Sequence, residues 1–483
     1  GVDLPEPVPI YLPLNSVEDL EAFEGMYVNF PQSLVISEYY DYDRFGKVVI
    51  TTDRQVNPTA LVEPGPDAAT LFDLQARSRI ILDDGRFYFD PDPAIHPDGS
   101  IFTMDNLFRG GDVLEGVTGI VDSYKDLFDP APRYRIQPTQ NPLYTPANLR
   151  PGDVDIIEGD LKIASLNVYN YFTTLTSEGN ICGPMGDLEC RGADTLEELE
   201  RQRNKIIAAL SAIDADIVGL MEIENDRLDA PMPDYAVADL VSGLNDVLGE
   251  GTYAYIATGV IGNQAIKVAM IFQPGNVTPV GGPAILDSTV DIRFLDAYNR
   301  PVLAQSFMDN LTEKVVTVAV NHLKSKGSEC DDDPDQGDGQ GNCNLTRLAA
   351  VQAEVDWLAS DPTGSGADHQ LIVGDLNSYD KEDPIDAIKL GADDTADTED
   401  DFFDMIFEIL GEEAYGYVFD GRVGYLDYAM VNKTLLDHVT DVAVWHINAD
   451  EPDIIDYDMS NKKDAQDALY APDPYRCSDH DPV

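Results

Sequence analysis

The sequence predicts an α+β protein: a two-sheet sandwich flanked by helices, preceded by a small β-barrel or sandwich. The 483 residues exceed one ordinary domain and point to two to four. Residues 1–137 alternate short β-type runs with turns, whereas residues 161–483 mix long apolar strands with amphipathic helices. In that second part strands outnumber helices, and both faces of the strands read as covered. Their mixed order argues against a strictly alternating parallel fold.

In the leading part, the strand-like runs are 25–30, 46–52, 77–85, 86–90, 111–124 and 133–138, with no helical stripe longer than a few turns. Residues 138–160 form a linker by composition, with Pro138, Pro142, Pro146 and Pro151. A buried strand follows at 161–170. A helix is expected over 194–213, with Asp194 and Glu197 as a capping box and Leu196, Leu199, Ile206, Leu210 and Ile213 as its apolar stripe. Further strands are expected at 215–226, 253–258, 266–273, 302–307, 315–322, 371–377, 424–432 and 440–448, and a second helix at 344–360.

Hydrophobic residues make up 43% of the chain, enough for a sizeable core. Lys and Arg number 31 against 89 Asp and Glu, a net charge of −58. Such charge suits a salty extracellular setting or a surface that binds divalent cations. It argues against passive electrostatic capture of nucleic acid. No apolar run is long enough to span a membrane. The start "GVDLPEPVPI" reads as a trimmed N-terminus. Cys182 and Cys190 flank one polar loop, and Cys330 and Cys343 another. Neither has zinc-type spacing, so loop-stapling disulfides and an oxidising compartment are expected. Cys477 is left odd, either free or paired outside this sequence.

Several strands of the second part end on a polar residue that a core strand would not choose. Asn167 interrupts "IASLNVYN" and Glu222 ends "IVGLME"; Asn321 and His322 end "VVTVAVNH". Asp375 and Asn377 end "LIVGDLN", Asp427 stands between Leu426 and Tyr428, and Asp479 and His480 lie in "CSDHDPV". One such ending is ordinarily a solvated turn or cap. Acidic and histidine side chains converging on one sheet rim are costly unless a metal or a reaction stabilises them.

The ordered set L-N, M-E-I, N-H, G-D-L-N, L-D-Y and S-D-H-D-P resembles the endonuclease/exonuclease/phosphatase superfamily. That superfamily includes pancreatic-type DNase, abasic-site endonucleases and sphingomyelinases. The two Cys loops, "NHLKSKGS" and the β-rich leading part look most similar to large secreted bacterial nucleases of the ExeM type. The resemblance implies an OB-like module at 1–137, a linker at 138–160, and a DNase I-like αββα sandwich at 161–483 that carries catalysis.

It also implies roles. Glu222 would be the principal ligand of Mg²⁺ or Mn²⁺, with Asn167 beside it and Asp479 near the same ion. Hard oxygen donors suit these cations and not zinc. His480, oriented by Asp427, would contact the phosphate or deprotonate the water. Asp375 and Asn377 would position that water and hold the phosphate, and His322 would be the second histidine. Lys324, Lys326 and Arg203 are candidate substrate contacts. For Arg201, Arg203 and Lys205 the alternative is pairing with Glu197 and Glu198 on the same helix. The 330–343 loop has the composition of a structural Ca²⁺ site but no closing Glu, so a plain acidic loop is the alternative. His96, His369, His438 and His446 match no motif position. The family continues past S-D-H-x-P into a final strand, whereas this sequence stops at Val483.

The expected activity is hydrolysis of extracellular DNA, and of RNA as a further substrate. The enzyme would be secreted, or tethered by a segment outside this sequence, with no obligatory protein partner. The alternatives are a nucleotidase or sphingomyelinase-like lipid phosphodiesterase, or a binding protein that keeps the fold without catalysis. No aromatic hairpin stands out in the sequence as a membrane-entering element, and a binding module has no reason to hold all six motifs.

Overall fold

In the computed structural model, which describes residues 5–125, 132–152, 154 and 159–483, two sheets pack face to face between helical layers. The first sheet has the order Ile163–Tyr171, Ile217–Glu224, Ile266–Phe272, Ala254–Tyr255. The second has the order Val277–Leu286, Arg300–Asp309, Val315–His322, His369–Asp375, Asp427–Asn432, Phe402–Asp404. Met221, Val268 and Met270 of the first meet Val318, Val320 and Val373 of the second in one buried cluster. Helices Leu196–Ile213 and Tyr235–Leu248 cover the outer face of the first sheet through Ile206, Leu210 and Leu240. Asn344–Leu358 and Asp383–Lys389 cover the second through Val351, Ile385 and Ile388. Apolar cover on both faces is why the strands lack alternation.

The expected sandwich is therefore present, with local differences. The capping box of Leu196–Ile213 is Thr195 with Glu198, one residue later than expected, and Leu196 is 72% exposed. Segment 440–448, expected as a strand, is irregular. Helix Tyr235–Leu248 and strand Val277–Leu286 were not expected. The latter holds Pro279 and adjacent glycines but lies at a sheet edge, where a missing N–H is tolerated.

The leading part forms one nine-stranded sheet running from Val8–Pro9 to Leu143–Thr145, and these two end strands do not pair with each other. Barrel closure is thus not seen among the described residues. Leu143–Thr145 lies within the Pro-rich stretch and pairs with Val113–Glu115. Helix Pro66–Arg77 buries only Ala68, so it has no stripe to read. Segment 86–90 is not a strand, and Phe87, Tyr88 and Phe89 are 93%, 54% and 66% exposed.

The leading sheet and the sandwich share a core. Ile454, Ile455 and Leu469 pack among Phe30, Ile36 and Phe108. Gln55–Val56 adds a parallel strand to the hairpin of Tyr417–Phe419 and Arg422–Gly424. Asp450 is held by Arg54 and Arg109 of the leading part.

Disulfides join Cys182 to Cys190 and Cys330 to Cys343, with Cα–Cα distances of 5.1 and 5.5 Å. The second closes the acidic loop, whose Asp333 accepts hydrogen bonds from the Thr346 N–H and hydroxyl, both at 2.8 Å. Cys477 is a buried free thiol, pushed up to about 12 by burial.

Glu354, on Asn344–Leu358, is fully buried. Its Oε1 accepts from Asn321 Nδ2 at 2.7 Å, and its Oε2 has no hydrogen-bond partner among the described residues. Burial raises its pKa from 4.5 to about 7. Folding therefore disfavours the ionised form: the contribution to stability is full below the unfolded value and is lost as pH rises toward the folded one. Glu354→Gln removes this titration. Denaturant melts should show wild type losing about 3 kcal/mol relative to the variant between pH 4.5 and 8; a pH-independent difference rejects the assignment.

Candidate active site

Strand pairing builds the row that the sequence only hinted at. In the second sheet Arg300 pairs with His322, His322 with Asp375, and Asp375 with Asp427, so four charged or titratable residues stand abreast on adjacent strands. Arg300 and Asp427 begin their strands where His322 and Asp375 end theirs, which places all four on one rim. Gly374, before Asp375, has φ +106°, and a Cβ there would sit 2.4 Å from the Asn321 carbonyl oxygen, so this position demands glycine.

The first sheet contributes Asn167 and Glu222 at a pairing irregularity in each strand. Tyr169, Asn170, Glu222 and Asn377 all have φ between +48° and +64°, a conformation L-residues hold only when their surroundings enforce it. The bend is fixed by hydrogen bonds: Tyr169 N–H donates to Asn167 Oδ1 and Asn170 N–H to Glu222 Oε2, both at 2.9 Å.

The terminal motif closes the site from above. Asn448 Oδ1 accepts from Cys477 N–H at 2.9 Å, and its Nδ2 donates to the His480 carbonyl at 2.6 Å. Asp481 accepts from the N–H groups of Asn448 and Ala449 at 2.7 and 3.0 Å. So clamped, His480 Nδ1 lies 2.5 Å from Asp427 Oδ2, and its ring lies 4.4 Å from that of Tyr417. Val483 exchanges both backbone hydrogen bonds with Ser165 on the edge of the first sheet.

The two histidines have their pKa values pushed in opposite directions. Burial disfavours the charged His480, but Asp427, Asp479 and Asp375 overcome it and raise its pKa well above the ordinary value. His322 has its pKa lowered well below the ordinary value by burial, Arg300 and His480. Its Nε2 lies 3.4 Å from Asp375 Oδ2 and 3.8 Å from Glu222 Oε1, and its Nδ1 has no hydrogen-bond partner among the described residues. Asp375 is pushed up to about 7 by burial and the Asp427 charge, against the pull of His480. Asn377 anchors it, its N–H and Nδ2 donating to Asp375 at 2.8 and 2.9 Å. Burial and Asp479 raise Glu222, while burial lowers Arg300 to about 10 despite Glu222 and Asp375.

The structure thus brings together Asn167, Glu222, His322, Asp375, Asn377, Asp427, Asp479 and His480. It engages the three candidate substrate cations elsewhere. Lys324 Nζ donates to Ser328 Oγ and the Ser328 carbonyl at 2.6 and 3.0 Å, and Lys326 pairs with the buried Glu382. Arg203 pairs with Asp239 at 2.8 Å. Of its helix neighbours, Arg201 pairs with Glu197 and Asp467, and Lys205 with Asp473. Sequence reasoning missed Arg300, whose place before a Pro reads as a turn, and Tyr417. The signal for Tyr417 was the Asp420-Gly421 pair between β-type residues, which marks a two-residue hairpin.

Among the described residues no three His, Cys, Asp or Glu side chains form a ready cation cage. The expected ligand set holds only two carboxylates and an amide oxygen. It fits a hard cation that keeps several waters, because Asp479 and Glu222 repel each other and a cation would relieve that repulsion.

No protein-family model and no curated protein matches the chain. Solved structures do. An endonuclease/exonuclease/phosphatase from Bacteroides vulgatus is 12% identical over 67% of this chain and 96% of that one, at a TM-score of 0.39. The human Nocturnin catalytic domain with bound sulfate is 14% identical over 58% and 85%, at 0.36. D. rerio TDP2 complexed with a single-strand DNA product is 14% identical over 67% and 96%, at 0.35.

Proposed function

We propose that the protein is a secreted phosphodiesterase of the endonuclease/exonuclease/phosphatase superfamily, similar to ExeM-type nucleases, that hydrolyses extracellular DNA. The residues of 161–483 carry catalysis, and those of 1–137 serve as an OB-like accessory module. The observation that carries this reading is the strand-end row with His480 clamped onto Asp427 at its end, so that His322 and His480, with pKa values pushed down and up respectively, flank the buried Asp375 and Asp427. Titratable groups pushed apart in this way mark an acid and a base.

In this reading His322, held neutral, takes the proton of the attacking water, with Asp375 beside its Nε2. His480, held protonated by Asp427, donates to the leaving oxygen. Asn377 keeps Asp375 oriented, and Arg300 offsets the buried negative charge of Glu222 and Asp375. Glu222, Asp479 and Asn167 would hold Mg²⁺ or Mn²⁺, which supplies positive charge to the phosphate oxygens. The two disulfides suit an oxidising exterior, and no helix among the described residues is long and apolar enough to cross a membrane.

Digestion of supercoiled plasmid, linear duplex, single strands and RNA, with and without EDTA, tests the reading. Cleavage of DNA that EDTA abolishes is expected, and intact DNA under every condition rejects it. A lipid phosphodiesterase of the same chemistry is the second reading, favoured by the exposed Phe87-Tyr88-Phe89 run. Sphingomyelin turnover without DNA cleavage would select it.

A further inference from the structure

A cleft of about 690 Å³ runs from the catalytic rim onto the face of the leading sheet. Its catalytic end is formed by Asp479, Tyr169 and Tyr417, the last lying against the His480 ring. Tyr40 and Phe419, which are 66% and 61% exposed, also line it. Large aromatic rings left open to water along a concave surface indicate a ligand. Phe419 is not there by looseness. Its hairpin turns at Asp420 and Gly421, both at positive φ, and is pinned to the leading part by the Gln55–Val56 strand and the Arg79–Asp420 ion pair.

Charge selects the ligand. The chain carries −58, yet the charged lining of this cleft is balanced, four residues of each sign, with Lys47 set against Asp41 and Arg79 against Asp420. Beyond Lys47, whose Nζ lies 4.7 Å from the Phe45 ring, the aromatic surface continues to Phe89, 5.4 Å from Phe45. A surface of stacking rings without strong repulsion, opening onto a phosphodiester-cleaving centre, matches unpaired nucleotides. Every base has a face to stack, whereas a duplex hides its faces.

We infer that this cleft is a binding subsite for a single-stranded segment of the polynucleotide flanking the scissile phosphate, with Tyr40 and Phe419 as its stacking platform. The inference rests on the phosphodiesterase reading and adds to it a role for the leading sheet. Fluorescence anisotropy of labelled dT12 in EDTA, with a blunt hairpin duplex as the second probe, measures the subsite directly. Tyr40→Ala and Phe419→Ala should each weaken dT12 binding about 5–100-fold and leave duplex binding within twofold. Tyr40→Phe should restore it, since stacking needs the ring and not the hydroxyl. Both side chains are exposed, and thermal melts check that the variants fold.

Unchanged dT12 binding in the double alanine variant overturns the inference, as does an equal loss for dT12 and duplex. So does wild-type co-sedimentation with sphingomyelin vesicles that the double variant loses, which would make this a lipid surface. The two proposals fail separately. If wild type hydrolyses bis-p-nitrophenyl phosphate but the double variant binds dT12 as wild type does, the subsite is wrong and the activity stands. If dT12 binding depends on both rings but no phosphodiester is cleaved, the activity is wrong and the subsite stands.

Discussion

Glu222→Gln is expected to lower phosphodiester turnover about 10³-fold while making the protein more resistant to heat. Both effects come from one carboxylate. Glu222 sits at a strand irregularity with φ +64°, and burial together with Asp479 pushes its pKa up, so its ionised form is disfavoured in the fold. Gln keeps the size, the backbone demand and an oxygen for the Asn170 N–H but removes the charge. If that charge holds a divalent ion on the phosphate, its loss should forfeit about 4 kcal/mol of transition-state stabilisation, the equivalent of that rate change. Raised Mg²⁺ or Mn²⁺ should restore part of the activity. In EDTA the sign for stability is opposite: a raised carboxyl pKa means that stability is lost as pH rises, so at pH 8 the variant should melt higher than wild type. Full turnover of the variant in EDTA would show that Glu222 holds no catalytic metal, and an unchanged melt would show that its burial is not strained.

The strand-end rim was legible because local sequence and global fold conflict there. Apolar runs that end on Glu222, His322 or Asp375 break the pattern of a core strand, and such breaks concentrate where function overrides packing. Arg300 was not legible, since only strand pairing sets it beside His322. Nor was the engagement of Lys326, because its partner Glu382 lies in another loop, and a charge read from sequence carries no sign of what neutralises it. The shared core failed for the same reason. Gln55–Val56 pairs with Arg422–Val423 across most of the chain, and Ile454 joins the buried cluster that holds Phe30, relations no local window contains. Helix Pro66–Arg77 escaped through the lack of a stripe, and where a small barrel or sandwich was expected at the front the described residues form one sheet whose two end strands do not pair with each other. In the 86–90 run, β-type residues proved to be exposed rings, since propensity reports fit to a half-buried surface and no such surface covers them.

The two histidines should fail in different ways. His480→Ala and His322→Ala are each expected to reduce turnover on DNA by roughly 10²–10⁴-fold, with far smaller effects on binding. Because a general acid and a general base serve one transition state, the double variant should be little worse than the poorer single one. Asp427→Asn should behave as His480→Ala does, since the 2.5 Å contact to Nδ1 fixes the tautomer and supports the protonated ring. Roles then separate by leaving group. A nitrophenyl ester departs without needing a proton, so His480→Ala should recover most of its deficit on bis-p-nitrophenyl phosphate, whereas His322→Ala should stay impaired on both substrates. That asymmetry follows from His480 being held charged by Asp427 while His322, beside Arg300, is held neutral. The reverse pattern would exchange the two roles. Near-normal turnover of either single variant on plasmid at optimal Mg²⁺ would remove that histidine from catalysis and leave Asp375, with its pKa near 7, as the base.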